Sequence, residues 1–154
     1  MITINIDSKK FMHALEKFPR EISRVMRRDM LITGREIAAY ARTHHGFTAR
    51  KGKLERSIQV DVSPSGTNMR VFLDDRIAPH AAAVHNGSKP HKIEAKNKKA
   101  LYFVKGGNSV FAKSVNHPGT RPDEFLFNAF HRLRRMIVNN IQHSIDKAYK
   151  IARV

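Results

Sequence analysis

The chain has no cysteine and no tryptophan, and only 13 acidic residues stand against 29 lysines and arginines in 154 positions. Without cysteine there is no disulfide, no thiolate nucleophile and no cysteine-ligated zinc, so stability has to come from packing. Long apolar runs are missing too. No stretch approaches the length of a membrane span, and the opening MITINID alternates polar and apolar residues instead of giving the cationic start and apolar run of a secretion signal. A soluble protein made in a cytoplasm, with no membrane partner, is expected. There is no internal repeat and no low-complexity linker, and the length suits one domain with a real core.

What is abundant is positive charge. The formal net charge is +16, spread along the chain and not gathered in one tail. Such an excess attracts polyanions and repels other copies of the same chain. Three clusters are candidates for contact with DNA or an acidic partner: Arg50, Lys51, Lys53 and Arg56 around a glycine-containing loop; Lys96, Lys98 and Lys99 in a second; and Arg132, Arg134 and Arg135 near the C-terminus. No aromatic-rich strand motif of the kind that stacks unpaired bases stands out, so contact is expected to be electrostatic and blind to sequence.

Periodicity predicts an α+β domain, a small antiparallel sheet packed by a long N-terminal and a long C-terminal helix. Ile2, Ile4 and Ile6 alternate as a strand, and Ser8 fits the N-cap of a helix carrying Phe11, Leu15 and Phe18. Pro19 suits the first turn of a second helix running to about Thr43, with Ile22, Met26, Met30, Ile37 and Ala41 as its apolar stripe. Gly34 interrupts that helix at a cost of about 1 kcal/mol. SIQVDVS and MRVFLD flank the turn residues Pro64 to Asn68 as a hairpin in a meander, and Ala78 to His85 forms a short helix ended by Asn86 and Gly87. Two further strands are expected at about 100–105 and 109–115. Leu126, Phe130, Leu133, Ile137, Ile141, Ile145 and Ala148 then stripe a final helix of about 28 residues. Its apolar face must be buried against the sheet or a neighbouring subunit. The loops near 46–53 and 88–99 are expected to be mobile until a partner orders them.

Candidate chemistry is sparse. Asp74 or Asp75 followed by Glu94 and Lys96 has the arrangement of a Mg²⁺ nuclease, but Glu-x-Lys is a degenerate string in so lysine-rich a chain. His44, His45, His80, His85, His91 and His117 have no zinc-site spacing and read as solvated, capping or interface residues. No nucleophile elbow occurs. No catalytic residue, cofactor or metal is therefore assigned.

Three segments carry a resemblance. They are Gly52-Lys53-Leu54-Glu55-Arg56-Ser57-Ile58, Ala81-Ala82-Ala83-Val84-His85-Asn86-Gly87-Ser88, and His117-Pro118-Gly119-Thr120-Arg121-Pro122-Asp123-Glu124-Phe125-Leu126. In order and spacing this resembles the tail-completion and neck, or head–tail joining, proteins of long-tailed bacteriophages. Those proteins carry a T-G-x-L-x-x-S-I segment, a Y-A-x-x-V-E-x-G-T turn and an H-P-G-T element followed by Pro-Phe-Leu. Lys51 here stands where the family prefers Thr, His85-Asn86 replace an acidic-aromatic pair, and Asp123-Glu124 replace the usual residues before Phe125. The resemblance implies a non-enzymatic virion protein that forms a homo-oligomeric ring, with a hexamer expected, contacting other neck and tail proteins and packaged DNA. A sequence-nonspecific nucleic-acid-binding protein is the alternative from the residues alone, and a nuclease using Asp75, Glu94 and Lys96 the third.

Overall fold

The computed structural model describes residues 3–7, 20–49, 51–96 and 99–152. Its architecture is α+β. Strand β1 (Thr3–Asp7) is followed in the described chain by helix α1 (Arg20–Thr43), the short helix α2 (Lys53–Ser57), and strands β2 (Ile58–Val62) and β3 (Asn68–Leu73). Helix α3 (Ala81–Asn86), strands β4 (His91–Glu94), β5 (Leu101–Lys105), β6 (Asn108–Ala112) and β7 (Ser114–His117), and helix α4 (Phe125–Ala152) complete it. Among the described residues no helix is long and apolar enough to cross a membrane. The expected helix around Phe11, Leu15 and Phe18, with Ser8 as its cap, lies outside the described residues.

Helix α1 is the middle layer. One side rests on β2 and β3 and another on α4, so Ile22, Met26, Met30, Ile37, Ala38 and Ala41 are all buried. Gly34 does not break it. A Cβ at that position would sit 2.5 Å from Val60 Cγ1 and 2.8 Å from Met69 Sδ, so the glycine lets the helix lie close on the sheet. The stripe on α4 is buried as its spacing predicts, with Leu126, Ile137 and Ala148 inaccessible and Phe130, Leu133, Ile141 and Ile145 packed around them. Its main counterpart is α1. A polar seam fixes their register: Ser144 donates to Asp29 at 3.1 Å, and the Asn140 amide donates to Thr33 Oγ1 at 3.1 Å and to Glu36 at 3.2 Å.

The strands depart from a simple meander. β3 is central, pairing antiparallel with β1 (Ile4 opposite Val71) and with β2 (Val60 opposite Val71), which gives the order β1-β3-β2. The β2–β3 turn is closed by Ser63, whose hydroxyl accepts from the Thr67 and Asn68 amides at 3.1 Å each. Gly66 in that turn has φ +76°, and a Cβ there would lie 2.3 Å from the Arg27 amide nitrogen of α1. The second group of strands is not part of this sheet. β5 pairs with β6 around Gly106 and Gly107 as one two-stranded ribbon, and β4 pairs with β7 (His91 opposite His117) as a second, so along the chain the first is nested inside the second. Residues 91–94, within the basic 88–99 stretch that reads as loop or edge strand, form a strand.

Replacing Gly34 with Ala should destabilise the fold by about 1–3 kcal/mol despite alanine's better helix propensity, because overpacking against Val60 outweighs the gain. Urea denaturation measures it, and a stabilised variant would contradict the close approach. Ile137→Asp places an unpaired carboxylate in the α1–α4 seam, costing several kcal/mol of a total near 5–15. Circular dichroism should then show no cooperative melting.

Candidate functional site: a three-segment node

The second and third of the segments singled out in the sequence meet around the N-terminus of α4, together with the 46–49 loop that precedes the first. Phe125 is fully buried there, edge-on to Phe47 at 5.2 Å and to His85 at 5.1 Å between ring centroids. Phe127 closes the other side of His85 at 4.7 Å. His85 is thus a core residue and not a solvated one. Its Nδ1 donates to Asn86 Oδ1 at 3.1 Å, while Nε2 is buried without a hydrogen-bond partner among the described residues. Polarity alone conceals such a role, since a histidine in an alanine-rich helix gives no signal of burial.

Asp123 ties the node together. Its carboxylate accepts from the amides of Gly46 at 2.7 Å and Phe47 at 2.9 Å, and its own amide donates to the Val84 carbonyl at 3.0 Å. One residue thereby joins the 46–49 loop, α3 and the start of α4. The Thr120 backbone forms an antiparallel bridge with Ser88, with N···O distances between the two residues of 2.9 and 3.0 Å. Asp123 is therefore the residue that closes the node.

The glycines of the motifs have geometric reasons. Gly52 precedes α2 with φ +62°, and Gly87 ends α3 at φ +76°, where a Cβ would meet the Thr120 carbonyl at 2.8 Å. Gly119 (φ +91°) lets the chain pass the Ser88 carbonyl, which a Cβ would approach to 2.3 Å. His117 Nδ1 accepts from the Gly119 amide at 3.1 Å and its ring lies across the β4–β7 ladder from His91, the centroids 5.1 Å apart. Pro118 stands between them. In the first segment Leu54, Ser57 and Ile58 are buried, and Ser57 donates to the Leu54 carbonyl at 2.6 Å. Arg42 at the end of α1 donates to the carbonyls of Glu55 and Ile58, fastening α2 to α1. Beside the node a cleft of about 380 Å³ is lined by Phe47, Lys53, Leu54, Glu55, His80 and Val84.

The basic candidates do not converge on one patch by the contacts they make. Lys51, Lys53 and Arg56 are exposed around α2, where Arg56 donates to the Lys51 carbonyl at 3.1 Å. Lys96 and Lys99 flank the ribbon, and Arg132, Arg134 and Arg135 lie exposed on the outer side of α4, the last two beside a shallow depression with Val138 and Asn139. Arg50 and Lys98 lie outside the described residues.

The nuclease candidates are separately engaged. Asp74, at the end of β3, takes a two-point contact from Arg76 at 2.9 and 3.0 Å and accepts from the Arg76 amide. The Arg76 side-chain hydrogen bonds, opposed by burial and helped by backbone amides and charge, hold its carboxyl below the ordinary range. Asp75 is exposed, and Glu94 sits on β4 paired with Lys92 at 2.8 Å. Among the described residues no group of three His, Asp or Glu side chains could hold a metal ion. His44 stacks on Tyr40 and His45 on Phe47.

Asp123→Ala should leave the α1–α4 pair folded but release the 46–49 loop. Losing two charge-assisted bonds costs about 1–3 kcal/mol, and hydrogen exchange at the Gly46 and Phe47 amides should accelerate. Unchanged protection of both amides would show that Asp123 is not the tether. No protein-family model, curated protein or solved structure matches this chain.

Proposed function

We propose that this chain is a structural virion protein of a tailed bacteriophage, a non-enzymatic subunit of a ring at the neck or upper tail that joins head and tail. The observation that carries the reading is the node. The second and third of the segments whose order resembles tail-completion proteins fold against each other around Phe125, together with the 46–49 loop that leads into the first. Their glycines, Ser57 and Asp123 act as scaffold, which suits a protein whose product is an assembly.

Ring closure needs a head-to-tail interface between unlike surfaces of identical subunits. The exposed outer side of α4, with Arg134, Arg135 and Val138, supplies a surface outside the fold's own core. Six subunits each carrying +16 would repel one another. Assembly is therefore expected to need screening salt, an acidic neck or tail partner, or DNA in the lumen, and the exposure of Lys51, Lys53 and Arg56 supports contact with DNA that does not read its sequence.

Native mass spectrometry across ionic strength tests the proposal. A closed oligomer, six-fold on the present reading, should grow in as salt rises, and Arg134→Glu with Arg135→Glu should shift it toward monomer without altering the melting temperature. A chain that stays monomeric in every salt, and with purified head or tail partners, would overturn the ring. In a companion experiment, Arg50→Gln, Lys51→Gln and Lys53→Gln together should preserve folding, since solvated charges add little stability, while DNA retention or assembly falls.

A further inference from the structure

We propose that the outer face of the β5–β6 ribbon is a stacking platform for unpaired nucleic-acid bases, with lysines at its root to hold the phosphates. Strand alternation puts Tyr102 and Val104 of β5 on the same side as Ser109 and Phe111 of β6. Tyr102 stands directly opposite Phe111, the ring centroids 5.2 Å apart. Tyr102 is 62% exposed, Val104 61% and Phe111 70%. The Tyr102 hydroxyl and Ser109 Oγ are hydrogen-bonded at 3.2 Å, which holds the first ring in place.

A ribbon of two strands is marginal alone, and its solvent side ordinarily carries polar residues. Here that side carries two aromatic rings and a valine. The other side, with Leu101, Phe103, Val110 and Ala112, is only partly covered, so burial of the ribbon does not account for the rings.

Charge selects the occupant. Glu94 is the one acidic residue between positions 89 and 117, and Lys92 already engages it. Lys89, Lys96, Lys99 and Lys113 are exposed and form no ion pair among the described residues. A second copy of the chain would bring its own excess of positive charge against them. A nucleic acid brings phosphates to the lysines and flat π-faces to the rings, and stacking accepts any base. This goes beyond phosphate contact in a ring lumen and does not require the ring, because it is a property of the single chain.

The test uses the full-length protein and a fluorescently labelled oligothymidylate, with a duplex of matched length beside it, read by anisotropy across a salt series. Because tryptophan is absent, quenching of tyrosine emission on binding reports Tyr102 directly when compared with Tyr102→Phe. Tyr102→Ala with Phe111→Ala should weaken the single strand on the order of tenfold or more per ring lost while duplex affinity stays within about twofold. Tyr102→Phe should retain single-strand binding, and Tyr102→Leu, which keeps apolar bulk but no π-face, should not. Lys99→Gln with Lys113→Gln should lower affinity for both forms and flatten the single-strand salt slope by roughly one to one and a half units. Equal losses on single strand and duplex in the aromatic variant, or no loss on the single strand, would overturn the proposal. So would intact oligonucleotide binding coupled to a shift from oligomer to monomer in sedimentation, which would assign the face to a second copy. If the double variant fails to fold by circular dichroism, Tyr102→Leu against Tyr102→Phe decides the same question.

Discussion

Everything else in the fold leans on the burial of α1 from two directions. A helix with one apolar stripe needs one neighbour, whereas α1 meets the β2–β3 hairpin on one side and the length of α4 on another. Gly34 permits the first contact by removing a side chain where Val60 and Met69 press in, and the Asp29, Thr33 and Asn140 seam orders the second. Helix and sheet cannot be moved independently, because the same few turns of α1 serve both.

The node at the start of α4 is built on that platform but by different physics. Its apolar part is a cluster of rings, Phe47, His85, Phe125 and Phe127, and its polar part is a set of backbone groups answered by single side chains. Loops far apart in the chain are held there with little regular secondary structure. This is why substitutions around the motifs are informative: a change at Asp123 acts on a loop 76 residues away, while a change on the solvent side of α2 touches only charge.

The sequence made the long elements plain because their signals are repetitive. The stripe from Leu126 to Ala148 repeats often enough to fix a face, and Ile22, Met26 and Met30 do the same for α1, as the burial of all three agrees. Nesting of strands was not legible. His91 to Glu94 are all exposed, so no apolar alternation marks β4, and its partner β7 is set by the β5–β6 hairpin folded between them. The central place of β3 is a long-range pairing across α1 that no local pattern encodes. Gly34 reads as a flaw in a helix because its reason lies in Val60, and Asp123 gives no sign of its role because Gly46 and Phe47 are remote in sequence. Tyr102 and Phe111 are unremarkable until the register sets one opposite the other.

The two hairpin turns differ in a way that bears on how the molecule can be handled. The turn at Gly66 is wedged against the backbone of α1, where even one added carbon would collide with Arg27. The turn at Gly106 and Gly107 has nothing within 4 Å of either site. A spectroscopic label, an affinity tag or a few inserted residues at the second turn would extend the ribbon into open space and leave the core untouched, subject only to the positive φ that both glycines adopt. The same insertion at the first would have to lift the sheet from the helix, so the ribbon's tip is the natural handle for following this protein into whatever assembly it joins.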